Sequence, residues 1–172
     1  MSLQRLKNRL IARLATRFPA LAERLVAGYR AQASDQAIPW TPAAKPLSRC
    51  RLALVTTAGV HHGAQPPFDM QDPQGDPSFR ELDGATIEAD FRITHDYYDH
   101  RDAERDLNIV LPLARLRELV AEGKIGSLAE RHFGFMGHID GPHIATLTER
   151  TAPAVAARLK AAGVDLVLLT PA

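Results

Sequence analysis

The chain has 172 residues, 45% of them apolar and 24% charged, with a formal net charge of +1. That length suffices for one domain with a true core, and so even a charge balance gives no electrostatic case for a nucleic-acid partner. The longest apolar runs fall well short of a bilayer span, and with no secretory signal pattern a cytoplasmic protein is expected. Cys50 is the only cysteine, which excludes an intrachain disulfide and argues against a thiolate metal site.

In chain order, residues 2–32 carry a helical pattern. Leu3, Leu6, Leu10 and Leu14 recur at steps of three and four, which places them on one face. The pattern breaks at Phe18-Pro19 and resumes with Leu21, Leu25 and Tyr29. Arg5, Lys7, Arg9, Arg13 and Arg17 all precede the first acid, Glu23. Such a helix suits an anionic membrane or a targeting role. A surface helix packed on its own domain or on a partner is the preferred reading. The predicted organisation is a helical segment over 1–35, a Pro/Ala-rich linker over 36–48 and an α/β domain over 49–172.

Arg51 to Val60 reads as the first strand, and residues 61–86 as a long loop rich in proline and glycine. Asp90 to Thr94 is a second short strand. Leu113 to Glu122 is a helix that stops at Gly123, and residues 126–143 read as loop. Leu147 to Ala162 is an amphipathic helix with Val155, Leu159 and Ala162 inward. Gly163 ends it, and Val164 to Leu169 is a nearly unbroken apolar run, interrupted at Asp165, expected to be a strand covered on both faces. Strands alternating with helices predict a doubly wound, mostly parallel α/β sheet. It is Rossmann-like but incomplete, with an N-terminal helical appendage.

The chemistry is concentrated in histidine-bearing loops. His61-His62 follows the first predicted strand, where open α/β sheets bind ligands, and Thr56 and Thr57 lie near the same strand end. Thr94-His95-Asp96-Tyr97-Tyr98-Asp99-His100 packs two imidazoles and two carboxylates into seven residues. That set can hold a metal or supply an acid/base pair. No metal-site spacing is matched, and HExxH is absent, so no metal is assigned. Arg80 offers a bidentate partner for a substrate carboxylate. The glycines around Phe133 to His138 lack nucleotide-loop spacing, and no site for a flavin or nicotinamide is evident. No Gly-x-Ser-x-Gly elbow is present. Cys50 precedes the first strand, at the wrong end for catalysis.

Val55-Thr56-Thr57-Ala58-Gly59-Val60-His61, Gln65-Pro66-Pro67-Phe68-Asp69 and Gly75-Asp76-Pro77-Ser78-Phe79-Arg80 resemble the glycine/sarcosine/betaine reductase selenoprotein B family. So do Thr94 to His100, Asp106-Leu107-Asn108, Arg115 to Val120, Phe135-Met136-Gly137-His138-Ile139 and Gly163 to Pro171. The small subunit of D-proline reductase belongs to the same group, and the resemblance runs from about Pro39 to Ala172.

The resemblance implies reductive cleavage of a carbon–nitrogen bond in an amino acid. It also implies a selenocysteine or cysteine just after the strand that ends in Thr-Pro, with a second cysteine nearby. No residue here maps to that position. The chain is therefore expected to be an N-terminal portion, read up to a UGA codon and silent by itself, or else a degenerate paralogue. Selenocysteine is expected in the full-length product, with no cofactor in this chain. A pyruvoyl-containing subunit, a thioredoxin-like electron donor and further copies in an oligomer are the implied partners. His61, His95 and His100 are the candidates for proton donation or carboxylate binding. Thr57, Arg80, Asp96, Asp99 and His138 are the candidates for contact with an amino-acid-type substrate. The rivals are a metal-dependent hydrolase or lyase built on the His/Asp loops, and a regulatory subunit that docks through helix 2–17.

Overall fold

The computed structural model describes residues 3–27 and 41–172. Two helices come first, α1 (Leu3–Arg17) and α2 (Pro19–Val26), broken at Phe18-Pro19, where proline is tolerated only in a first helical turn. Tyr29 and residues 36–40 of the expected linker lie outside the described residues.

The domain is organised around β1 (Arg51–Thr56). On one side β7 (Leu166–Thr170) runs parallel to it, in register from Leu52↔Leu166 to Thr56↔Thr170. On the other side β5 (Ser127–Leu128) pairs with its start and β6 (Arg131–Phe135) with its end, both parallel. β3 (Phe79–Asp83) flanks β6 antiparallel, so the sheet order is β3–β6–β1–β7.

Side-chain alternation along β1 fills two cores. Leu52 and Leu54 join Ala103 of α3 (Arg101–Arg105), Leu113 and Leu116 of α4 (Leu113–Ala121) and Ile125. Ala53, with Val55 packed alongside, joins Phe133 and the α6 (Ala152–Ala161) residues Val155 and Leu159. Helices on both faces of a mostly parallel sheet are the α/β arrangement expected. α6 is entered through α5 (His143–Thr146) and a wide π turn, Leu147–Thr151. Pro153 has no N–H for the Glu149 carbonyl, which accounts for a widened turn at that place.

The structure corrects five expectations. The first strand does not continue to Val60. It ends at Thr56, and the chain turns at Gly59 (φ 72°) into β2 (Val60–His62), which pairs antiparallel with β4 (Phe91–Ile93). A Cβ on Gly59 would lie 2.3 Å from the Thr94 carbonyl oxygen, so the turn requires glycine. Second, the loop expected over 61–86 contains β3. Third, the loop expected over 126–143 contains β5 and β6. Glycine content hid β6: Gly134 is central because a Cβ there would meet the Val60 carbonyl oxygen at 2.2 Å. Fourth, Ala162 is exposed. Fifth, β7 is not covered on both faces. Among the described residues β1 alone pairs with it, and Val167, Leu168 and Leu169 are 41, 38 and 69% exposed.

Candidate functional site

Three strand ends converge where parallel sheets present ligands. Thr57 follows β1, and its N–H donates to the Thr170 carbonyl (3.0 Å). Its Oγ1 accepts from the Ala172 N–H (3.2 Å). Met136-Gly137-His138 follow β6, and Met136 bridges to Ala58. A Cβ on Gly137 would crowd three oxygens and nitrogens: Ala172 O at 2.8 Å, Thr57 O at 3.0 Å and His95 Nε2 at 3.1 Å. Glycine is thus what lets His95 reach the junction of the strands.

The loop from Thr94 to His100 hangs over this junction, tied down by the Thr94 N–H to the Gly59 carbonyl (2.9 Å). His95 and Asp96 are buried. The Tyr97 N–H donates to His95 Nδ1 (3.1 Å), and the Gly137 N–H points at Nε2 from 3.2 Å. A neutral imidazole has one lone-pair nitrogen and one N–H, so it accepts from only one of them at a time. An imidazolium accepts from neither. Burial, with His100 and His138 nearby, holds the His95 pKa down at about 4, and the two facing N–H groups act in the same direction. His95 is therefore a neutral hydrogen-bonding group at pH 7, close to both a backbone N–H and an aromatic wall. Tyr97 stacks on His138 with centroids 3.8 Å apart, and Tyr98 lies edge-on to His95 at 4.8 Å. The Tyr98 hydroxyl donates to the Ala58 carbonyl (3.1 Å), and burial raises its pKa. His138 Nε2–H donates to the Pro73 carbonyl (2.9 Å), which ties the 72–75 turn to the site.

Of the residues singled out in the sequence, Thr57, His95 and His138 meet at the strand ends. Asp96 is beside them, but α1 engages it through Arg5. Asp99 is held by Arg101, whose Nε donates at 2.9 Å, and that partner lowers its pKa to about 2. His100 Nδ1 lies 2.9 Å from Glu104 Oε1. With Tyr98, Arg101 and α1's Arg9 and Arg13, His100 lines a small pocket of about 60 Å³. Two candidates are committed elsewhere. His61 is on β2, with Nε2 2.8 Å from Thr94 Oγ1 and Nδ1 2.8 Å from the His62 carbonyl. Arg80 donates to the Pro66 and Pro67 carbonyls (2.8 and 3.1 Å) and to Ser78 Oγ (2.8 Å), while stacking over Phe68 at 4.4 Å. It clamps the proline-rich loop. Gly137, Tyr97 and Tyr98 belong to motifs quoted from the sequence but are not among its candidate site residues; a glycine directly after an apolar stretch, next to histidine, is the signal that marks such a strand end.

No three His, Cys, Asp or Glu side chains among the described residues form a metal-binding group. A groove of about 620 Å³ lies between the Gly84 turn, α4 and β5. That is the amino end of the parallel strands, away from the histidine cluster. Cys50 is buried and lies just ahead of β1.

A sequence model of the family described as glycine/sarcosine/betaine reductase selenoprotein B matches residues 21–172. D-proline reductase subunit gamma of Acetoanaerobium sticklandii is 41% identical over 131 residues, covering 76% of this chain and 52% of that protein. Glycine reductase complex component B subunit gamma of Carboxydothermus hydrogenoformans is 36% identical over 137 residues, covering 77% of this chain and 30% of that protein. Betaine reductase complex component B subunit beta of Peptoclostridium acidaminophilum is 30% identical over 135 residues, covering 73% and 29%. The chain thus spans about half the length of the first relative and under a third of the other two. No solved structure matches.

Proposed function

This chain belongs to the glycine/sarcosine/betaine reductase selenoprotein B family, and from that premise we propose that it supplies one wall of the substrate pocket of an amino-acid reductase complex. The reaction is reductive cleavage of a carbon–nitrogen bond in a substrate of the glycine, sarcosine, betaine or D-proline class. The observation that carries the reading is the convergence of Thr57, His95, Gly137 and His138 at the carboxyl ends of β1, β6 and β7. Neutral His95 and the Gly137 N–H suit a substrate carboxylate, because backbone and imidazole donors bind it without a buried counter-charge. The faces of Tyr97, Tyr98 and His138 suit the substrate's ammonium by cation–π attraction.

The redox group in this reading is a selenocysteine or cysteine from polypeptide outside residues 1–172. Buried Cys50 is at the opposite end of β1 and is a single thiol, where a dithiol-type couple is needed. A pyruvoyl-containing subunit and a thioredoxin-like electron donor are the proposed partners, in the cytoplasm. The relatives' names, as subunits of reductase complexes, support a multi-subunit setting.

Calorimetric titration with glycine, sarcosine, betaine and D-proline tests the pocket. One of the four should bind, and His95→Gln together with His138→Ala should weaken that binding at least tenfold. No binding of any of them, together with stoichiometric zinc or iron in the purified chain, would replace this reading with the metal-dependent one.

A further inference from the structure

α1 faces the wrong way for a helix that packs by its apolar side. Leu3, Leu6, Leu10, Ile11, Leu14 and Phe18 are 84, 53, 56, 37, 38 and 55% exposed. The polar side meets the domain: Arg5 pairs with buried Asp96, and the Asn8 side chain hydrogen-bonds Tyr97. A leucine ridge about 22 Å long is thereby presented to solvent, flanked by exposed Lys7, Arg13 and Arg17.

We propose that α1 is a surface anchor that lies in the plane of an anionic lipid bilayer, with the leucine ridge at the acyl boundary and the flanking cations on headgroup phosphates. Charge selects this occupant. The helix carries five cations and no acid, so two copies facing each other would repel. It also lacks the alternating signs that would fix register on a protein groove, whereas headgroups require none. Its position in the chain agrees. The family match begins at residue 21, so an interface common to the relatives and their partner subunits has no need of α1. No helix among the described residues is long and apolar enough to cross a membrane, so the contact is in-plane. Through Arg5 and Asp96 the anchor is joined to the loop that carries His95, which sets the histidine cluster close to the lipid surface. This inference does not depend on the reductase reading.

Co-sedimentation of the full chain with phosphatidylcholine vesicles, with and without about 30% phosphatidylglycerol, tests it. Binding should be at least tenfold stronger with the anionic lipid and should be lost in about 0.5 M salt. Leu6→Asp with Leu10→Asp should abolish it, with an unchanged circular dichroism spectrum because both side chains are exposed. Lys7→Glu with Arg17→Glu provides a second variant that leaves the ridge intact and should also abolish it. Equal binding to both vesicle types would overturn the proposal, as would binding that survives either double variant. So would no vesicle binding at all, whether the ridge is then covered by a second copy, seen as a dimer by sedimentation, or by a protein partner.

Discussion

Gly59 shows how a single residue separates one element from the next. Val55 to Val60 is a run with no polar punctuation beyond its threonines, and hydrophobicity alone carries the strand onward to Val60. The left-handed backbone at Gly59 and the approach of the Thr94 carbonyl end it. Gly59→Ala should cost about 2–4 kcal/mol, combining left-handed strain with overpacking, read as a lowered urea midpoint with an unchanged slope. His132 is the other single-residue device. Between β5 and β6 the ladder is interrupted at Ala129-Glu130, and His132 Nδ1 takes the Leu54 N–H at 2.9 Å in place of a strand carbonyl. Its Nε2 has no hydrogen-bond partner among the described residues. A histidine in an apolar strand reads as a ligand candidate or as nothing in particular; that it completes a ladder depends on a neighbour 78 residues away.

At the scale of elements, β7 and α1 leave apolar surface exposed for the same reason, although only β7 is expected from the sequence to be covered on both faces. Both are apolar by pattern, and pattern reports that a surface is fit for burial, not that something buries it. β7 is an uncharged edge strand with one paired side, the kind that invites another strand. Leu169→Lys, at a position 69% exposed, should raise solubility and reduce concentration-dependent association in light scattering, with Tm essentially unchanged. A fall in Tm of several degrees would mean that Leu169 is packed. In α4 and α6 the pattern and the partner agree, because each lies against a sheet face that the intervening chain cannot avoid.

For the whole molecule, buried neutral histidines set the response to acid. His95 and His132 each have a folded pKa of about 4, lowered chiefly by burial. The unfolded chain takes up these protons near 6.5. Between those values the unfolded state binds more protons, so stability is full above about pH 6.5 and falls as pH drops toward 4. Each histidine contributes about 3 kcal/mol at neutral pH, and burial of His61 acts in the same direction. Urea midpoints measured across this window should show that decline. His132→Asn, which retains an acceptor for the Leu54 N–H, should remove about one proton's share of it. A stability flat from pH 7 to pH 4 would contradict the buried neutral state.

The sequence by itself determined the α/β class, the Phe18-Pro19 break, the helix that ends before Gly123 and the family, because these rest on local periodicity, turn residues and motif order. It also marked Thr57 and His95, polar residues beside predicted strands, and His138 through the family resemblance. Only the tertiary structure decided that His61 and Arg80 serve neighbouring loops, that Gly137 belongs with His95, and that the apolar side of α1 faces outward. Those outcomes depend on hydrogen-bond partners and packing surfaces tens of residues apart in the chain, and a local pattern carries no record of which distant group satisfies it.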